Sequence, residues 1–227
     1  MQSSLSINIG RNSAGIPHKI DLISLPNLVI SYNEKDQLAE SLYRFIKDLS
    51  GIQSVLFATS IGNKLAKSIS HLEDNTHILF NFLHEESPDA HIKSIDQFID
   101  FVAKEFKSRK RIQKSSPTLD LPPLVVIIDN IFEVILSNRK KTALLFIEML
   151  ANCPSQSVYF IIGSSGMYKN LLDQIIHLNP LLRRKLEKSN PGIKINEPLA
   201  AEMIINPDGL IFFRKRGEKV YLRLYPV

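Results

Sequence analysis

The chain has one cysteine, Cys153, among its 227 residues, so no internal disulfide can form, and a cysteine-based structural zinc site is excluded. No apolar run approaches the roughly 18–20 residues that a membrane-spanning helix requires. The first residues, MQSSLSINIG, lack the basic stretch followed by an apolar stretch that marks a signal peptide. These absences predict a cytoplasmic protein without a membrane span.

The composition is that of an ordinary globular protein. Hydrophobic residues make up 44% of the chain and charged residues 22%, enough apolar surface for one continuous core. The net charge of +5, from 28 basic and 23 acidic residues, is compatible with nucleic acid but does not identify it as a partner. The six histidines show no metal-binding spacing, so no metal site is predicted. The length predicts one domain over residues 1–227.

Short apolar segments alternate along the chain with segments of helical periodicity. The fully apolar run 124–128 is typical of a central parallel strand that is covered on both faces. The alternation predicts a three-layer α/β fold with a mostly parallel sheet. The predicted strands lie near 27–31, 54–59, 76–82, 124–129 and 157–162, the predicted helices near 38–49, 64–71, 92–110, 142–151 and 167–177, and a C-terminal hairpin joins 210–213 to 220–224.

Four segments resemble FtsK/SpoIIIE-type DNA translocases of the HerA/FtsK branch, in the same order and over nearly the whole chain. Residues 7–30 begin with a predicted short apolar strand and a glycine-containing turn. They resemble the entry to the motor domain, which in that family leads directly into the Walker A loop. Residues 124–130 resemble the Walker B strand, 157–165 the strand after it, and 198–227 the end of the domain. The resemblance implies a RecA-like P-loop NTPase fold.

The phosphate-binding loop of that family is missing from the corresponding segment. Residues 31–39, SYNEKDQLA, contain no glycine, whereas a phosphate cradle needs glycines, a lysine for the outer phosphates and a Ser or Thr for Mg²⁺. Aligned without a gap, Leu38 takes the place of the lysine and Ala39 that of the hydroxyl residue. The resemblance therefore implies a degenerate nucleotide site, whose residues would be Tyr32, Asn33, Glu34, Lys35, Asp129, Asn130 and Glu133.

The Walker B positions are only partly kept. Asp129 stands where the family has its Mg²⁺-organising carboxylate, although a solvated loop or a helix N-cap would explain an Asp there nearly as well. Asn130 replaces the glutamate that polarises the attacking water, and an amide cannot accept that proton. Glu133 matches the family's second acidic residue.

The segment Gly163-Ser164-Ser165-Gly166 is interpreted as a turn between a strand and a helix. Backbone N–H groups of such a turn can bind an anion at a helix N-terminus. A plain flexible connection is the alternative interpretation.

Three basic clusters, at 104–114, 183–188 and 214–219, are candidates for contact with nucleic-acid phosphates. A solvated surface is the alternative, because no aromatic stacking platform interrupts the clusters along the sequence. Whether they converge on one surface is not determined by the sequence. The candidate residues are Lys107, Arg109, Lys110, Arg111, Arg183, Arg184, Arg214 and Arg216.

These observations favour a catalytically inactive FtsK/SpoIIIE-like protein that serves as a binding or assembly subunit of a translocation or secretion machine. Its expected partner is a protein, either an active FtsK-like ATPase or another copy of itself, and no cofactor is expected. The alternative is a divergent NTPase or a DNA-binding translocase subunit. In it, residues 163–166 would bind phosphates, Asp129 would bind Mg²⁺ and Glu133 would act as base. A clamp-loader-like subunit is a third interpretation, against which the lack of a recognisable C-terminal helical collar counts.

Overall fold

The computed structural model describes residues 5–25, 27–49, 55–59, 77–81, 88–128, 156–165, 184, 201–215 and 218–223. Strands and helices alternate over most of this part of the chain. The strands and helices are β1 (Ser6–Arg11), β2 (Pro17–Asp21), β3 (Asn27–Tyr32), α1 (Lys35–Asp48), β4 (Val55–Thr59), β5 (His77–Asn81), α2 (Pro88–Ser115), β6 (Leu124–Ile128), β7 (Val158–Ser165), β8 (Ala201–Ile205), β9 (Leu210–Lys215) and β10 (Glu218–Arg223).

All the described strands belong to one mixed sheet, in the order β2-β1-β10-β9-β8-β3-β7-β6-β4-β5. The strands from β8 to β5 are parallel to their neighbours. From β8 outward, β9, β10, β1 and β2 continue the sheet with antiparallel pairing. This arrangement confirms an α/β fold with a largely parallel central sheet. It also shows an antiparallel extension that joins the two ends of the described chain.

The predicted central strands lie close to their expected positions. β6 is buried at all five residues, and because side chains alternate between the two faces of a strand, both faces of the sheet are covered here. Four side chains of the central strands are fully buried: Val125 and Ile127 of β6, and Phe160 and Ile162 of its neighbour β7.

Helix α1 packs its apolar face on the sheet. Four side chains of α1 and that of the residue after it are at most 1% exposed. They join one core cluster with residues of β1, β3, β8, β9 and β10. Burial of each stabilises the fold by about 1.5–3 kcal/mol. The five are Leu38, Leu42, Phe45, Ile46 and Leu49.

Helix α2 extends beyond the predicted 92–110 at both ends. Its buried residues follow the predicted helical periodicity, which confirms the amphipathic assignment. These buried residues are Phe98, Ile99, Val102, Ala103, Phe106 and Arg109. Within the described residues, neither helix is long and apolar enough to cross a bilayer.

Two strands of the sheet were not predicted. β2 begins with Pro17 and lies at the edge of the sheet, a position where the missing proline N–H is tolerated. β8 is short and carries Glu202 in an otherwise apolar run. The helices predicted at 64–71, 142–151 and 167–177, and the hairpin connection Arg216-Gly217, lie outside the described residues.

Candidate functional site

The resemblance described above predicts the P-loop position at the connection between β3 and α1. β3 ends at Tyr32 and α1 begins at Lys35, so the connection is only Asn33 and Glu34, both exposed. Tyr32 itself is 2% exposed and belongs to the core cluster. The first four of the seven residues predicted at the degenerate site, Tyr32 to Lys35, therefore form a strand end, a tight connection and the first residue of a helix.

Acidic residues stand on both sides of Lys35, the first residue of α1. Glu34 is the N-cap residue, with an extended backbone (φ −116°, ψ 128°) and no side-chain capping hydrogen bond, and Asp36 lies in the first turn. Carboxylates at this end of a helix interact favourably with its dipole. The two carboxylates offset the positive end of the helix dipole, which would otherwise attract a phosphate. Their own negative charge would also repel a phosphate.

A third acidic residue lies beside this helix start, in the turn between β8 and β9. The side-chain amide nitrogen of Gln37 donates to the carbonyl oxygens of Asn206 (3.1 Å) and Pro207 (3.0 Å), which ties the turn to α1. Asp208 in the turn is exposed, and its carboxylate accepts from the Leu210 N–H at 3.0 Å. The sequence gives no sign that this turn lies at the site, because the contact spans about 170 residues of chain.

The predicted turn at 163–166 is corrected by the structure. Gly163, Ser164 and Ser165 extend β7 and pair in register with Ile30, Ser31 and Tyr32 of β3. A strand paired in this way does not fold its N–H groups around an anion. Anion binding in this segment would then depend on Gly166 and the residues after it, which lie outside the described part of the chain.

The predicted Walker B residues Asp129, Asn130 and Glu133 also lie outside the described residues, and their roles stay predictions. Asp129 directly follows the last residue of β6 in the chain. β6 is separated from β3 by the single strand β7. Among the described residues no group of acidic, histidine or cysteine side chains has the arrangement of a metal site.

The basic cluster of α2 loses one predicted member. Lys107, Lys110 and Arg111 are exposed, but Arg109 is buried, with 5% of its surface exposed. Its guanidinium donates to the Glu105 carboxylate at 2.8 Å and to the Pro122 carbonyl oxygen at 2.7 Å.

The same guanidinium lies 3.3 Å from the carbonyl oxygen of Gln156 and 3.4 Å from that of Ser157. Arg109 therefore links α2 to the segments that lead into β6 and β7. Because it is buried, Arg109 is not part of a basic surface that could contact phosphates.

The other two clusters are described only in part. Arg184 is exposed, whereas Arg183 and Arg216 lie outside the described residues. Arg214 on β9 forms an ion pair with Glu202 on β8 at 2.9 Å. Contact of these residues with nucleic acid stays a prediction.

The structure also places an aromatic pair next to the third cluster, outside the limits of that cluster in the sequence. The rings of Phe212 and Tyr221 are 5.3 Å apart, and the next cross-strand pair of the same two strands is Arg214 with Lys219. Side chains alternate between the two faces of each strand. This alternation, together with the register of the β9–β10 pair, could have revealed the arrangement from the sequence.

A scan against protein-family models finds no match to the chain, and a search of curated proteins finds none. Solved structures do match. EssC (ATPases 2 and 3) from Geobacillus thermodenitrificans matches with a TM-score of 0.66 and 10% identity, over 100% of this chain and 42% of that one. Thermomonospora curvata EccC (ATPases 2 and 3), in complex with a signal sequence peptide, matches with a TM-score of 0.63 and 12% identity, over 100% of this chain and 41% of that one.

The pCW3 conjugation coupling protein TcpA, in a monomer form with ATPγS, matches with a TM-score of 0.58 and 12% identity, over 98% of this chain and 66% of that one. At such low identity these matches establish the fold alone. They confirm the ATPase fold that the FtsK/SpoIIIE resemblance implied. The chain spans less than half the length of the EssC and EccC chains that it matches.

Proposed function

We propose that this chain is a catalytically inactive ATPase-fold subunit that binds and assembles within a larger machine of the secretion or translocation type. The observation that carries the proposal is the two-residue connection between β3 and α1. A P-loop uses eight residues, G-x-x-x-x-G-K-[ST], to wrap backbone N–H groups around the phosphates. Asn33 and Glu34 provide neither that length nor a glycine.

The charge at this place supports the same proposal. A bound nucleotide brings several negative charges to the helix start, which in P-loop proteins are met by a lysine and Mg²⁺. Here the helix start carries Glu34 and Asp36, with Asp208 on the adjoining turn. A phosphate placed there would meet three carboxylates and one lysine, Lys35, so like charge would outweigh opposite charge.

The matched structures support an assembly role. Two of them are described as containing ATPases 2 and 3, so the fold found here occurs there in chains with more than one ATPase unit. Within the proposal, this chain corresponds to one such unit, with a three-layer RecA-like arrangement and a C-terminal hairpin. It would bind an active ATPase of similar fold or another copy of itself. Matches to structures described as cytoplasmic domains support the predicted cytoplasmic location.

Isothermal titration with Mg·ATP tests the nucleotide part of the proposal. We expect binding no tighter than millimolar, because residues 31–39 contain no glycine, and Leu38 and Ala39 stand where the family has its lysine and its hydroxyl residue. Micromolar affinity would contradict the proposal and favour the divergent NTPase. In that case the Asp129→Ala variant decides whether the binding depends on a metal at the Walker B position.

A further inference from the structure

The antiparallel extension of the sheet has one face in the core and one face outside it. On β9 and β10 the residues Ile211, Phe213 and Leu222 are at most 2% exposed and join the core cluster. Their neighbours in the chain point to the opposite face, because side chains alternate along a strand. Phe212 and Tyr221 lie on that opposite face, which we call the outer face.

The outer face presents an aromatic surface. Phe212 and Tyr221 are directly opposite each other in the β9–β10 register, and their rings are 5.3 Å apart with an interplanar angle of 54°. Tyr221 is 74% exposed, an unusually large exposure for a tyrosine in the middle of a paired strand. Phe212, half-buried, supports it from one side.

Cationic pairs flank the aromatic pair on both sides. In one direction along β10, Lys219 is opposite Arg214. In the other direction, Arg223 is opposite Arg11 of β1, and both are exposed. Like charges directly opposite each other in a sheet are destabilising.

Only one of these four cations has a carboxylate partner that the structure describes. Glu202 pairs with Arg214 at 2.9 Å, while the Arg11 guanidinium donates to a carbonyl oxygen, that of Gly15. The outer face therefore carries an excess of positive charge at both ends of an exposed ring. From Lys219 to Arg223 the strand spans about 13 Å at roughly 3.3 Å per residue, with Tyr221 midway.

The geometry points to a binding face for single-stranded nucleic acid, in which a base stacks on Tyr221 and the flanking phosphates meet Lys219 on one side and Arg223 with Arg11 on the other. Exposed aromatic rings on antiparallel strands, flanked by cations, provide the two contacts that single strands offer: an unpaired base and a charged backbone. A duplex offers the charge without a free base face. An acidic peptide offers charge without a need for the ring. This inference does not depend on the proposed absence of ATP hydrolysis.

Fluorescence anisotropy with a labelled 15-nucleotide oligothymidylate tests this inference. We expect the wild type to bind the single strand more tightly than a duplex of equal length, although the duplex has more phosphates. Tyr221→Ala should weaken binding about tenfold through the lost stacking, while Tyr221→Phe keeps the ring and should bind like the wild type. Both variants should keep the wild-type melting temperature, because the side chain is exposed.

Charge variants test the flanking cations. Lys219→Glu should weaken binding and lower the slope of log affinity against log salt by about 0.7, the value for one phosphate contact on a single strand. Lys47→Glu is the matched control, because Lys47 is exposed on α1, which packs on the core face, and the charge change is the same. Lys107→Glu tests the α2 cluster in the same way. Lys47→Glu and Lys107→Glu should each bind the oligonucleotide like the wild type.

Tyrosine-to-tryptophan substitution gives a direct readout of stacking. The chain has no tryptophan, so Tyr221→Trp introduces a unique fluorophore whose emission should fall as the oligothymidylate is added. Unchanged emission at saturating oligonucleotide would overturn the inference. So would equal affinity of Tyr221→Ala and wild type, or a greater loss with Lys107→Glu than with Lys219→Glu. Binding of a 15-residue polyglutamate as tightly as the oligonucleotide, without dependence on the ring, would instead identify a docking site for an acidic protein.

Discussion

Replacement of Arg109 by methionine should destabilise the fold and leave the surface charge nearly as it is. The substitution keeps an unbranched apolar stem and removes the charge and the donors. The Arg109 side chain is only 6% exposed, but its partner Glu105 is 40% exposed. The ion pair itself therefore contributes less than about 1 kcal/mol to the free energy of unfolding. The larger part comes from the short bond to the Pro122 carbonyl oxygen at 2.7 Å, since hydrogen bonds of charged groups contribute about 1.5–3 kcal/mol.

The contacts with Gln156 and Ser157, at 3.3 and 3.4 Å, are long and add less. The sum is a loss of about 3 kcal/mol in the free energy of unfolding. For a chain of this length that corresponds to a fall of about 6–12 °C in melting temperature. Urea titration followed by circular dichroism measures it, and Lys110→Met is the control, an exposed neighbour whose loss should stay within about 0.5 kcal/mol.

Equal stability of the two variants would refute the structural role assigned to Arg109. If Arg109→Met kept its stability but lost affinity for nucleic acid, the phosphate contact predicted from the sequence would be correct instead. Either result is read from the same purified proteins.

Two further substitutions test local features of the sheet and its turns. Gly10→Ala should destabilise the protein by about 1–3 kcal/mol, because Gly10 has φ +150° and an added Cβ would lie 3.1 Å from the Arg223 carbonyl oxygen. Thermal unfolding measures this loss of stability. A change below the error of the method would contradict the tight approach of β1 to β10. Gln37→Glu should destabilise the protein by about 1–3 kcal/mol, because a carboxylate would face the two carbonyl oxygens of Asn206 and Pro207 in place of a donor. Gln37→Met removes the donor without adding charge, so it should destabilise the protein less. The reverse order of stability would refute the assigned contact.

The central strands could be predicted because burial on both faces leaves a continuous apolar run. Residues 124–128 show this pattern, and they form a strand buried at every position. The short strand β8 escaped prediction because Glu202 interrupts its run, and the glutamate is tolerated there because Arg214 of the neighbouring strand pairs with it. Such a partner becomes visible only when the strand order is known.

The candidate sites differ in what the sequence could reveal. The absence of glycine from residues 31–39 is a local property of the sequence, so it could be read directly. The burial of Arg109 was also readable, because it lies at helical spacing from Phe98, Val102 and Phe106 on the apolar side of α2. The outer face could not be read so easily, because its arginine pair joins β1 to β10 across the full length of the chain.

The most direct test of the proposed inactivity is the rate of phosphate release from Mg·ATP by the purified protein. We expect the rate of buffer alone, unchanged in the Asp129→Ala variant, because the β3–α1 connection gives the phosphates no cradle. A rate above buffer that falls to the buffer value with Asp129→Ala would contradict the proposed inactivity and establish a working, divergent NTPase.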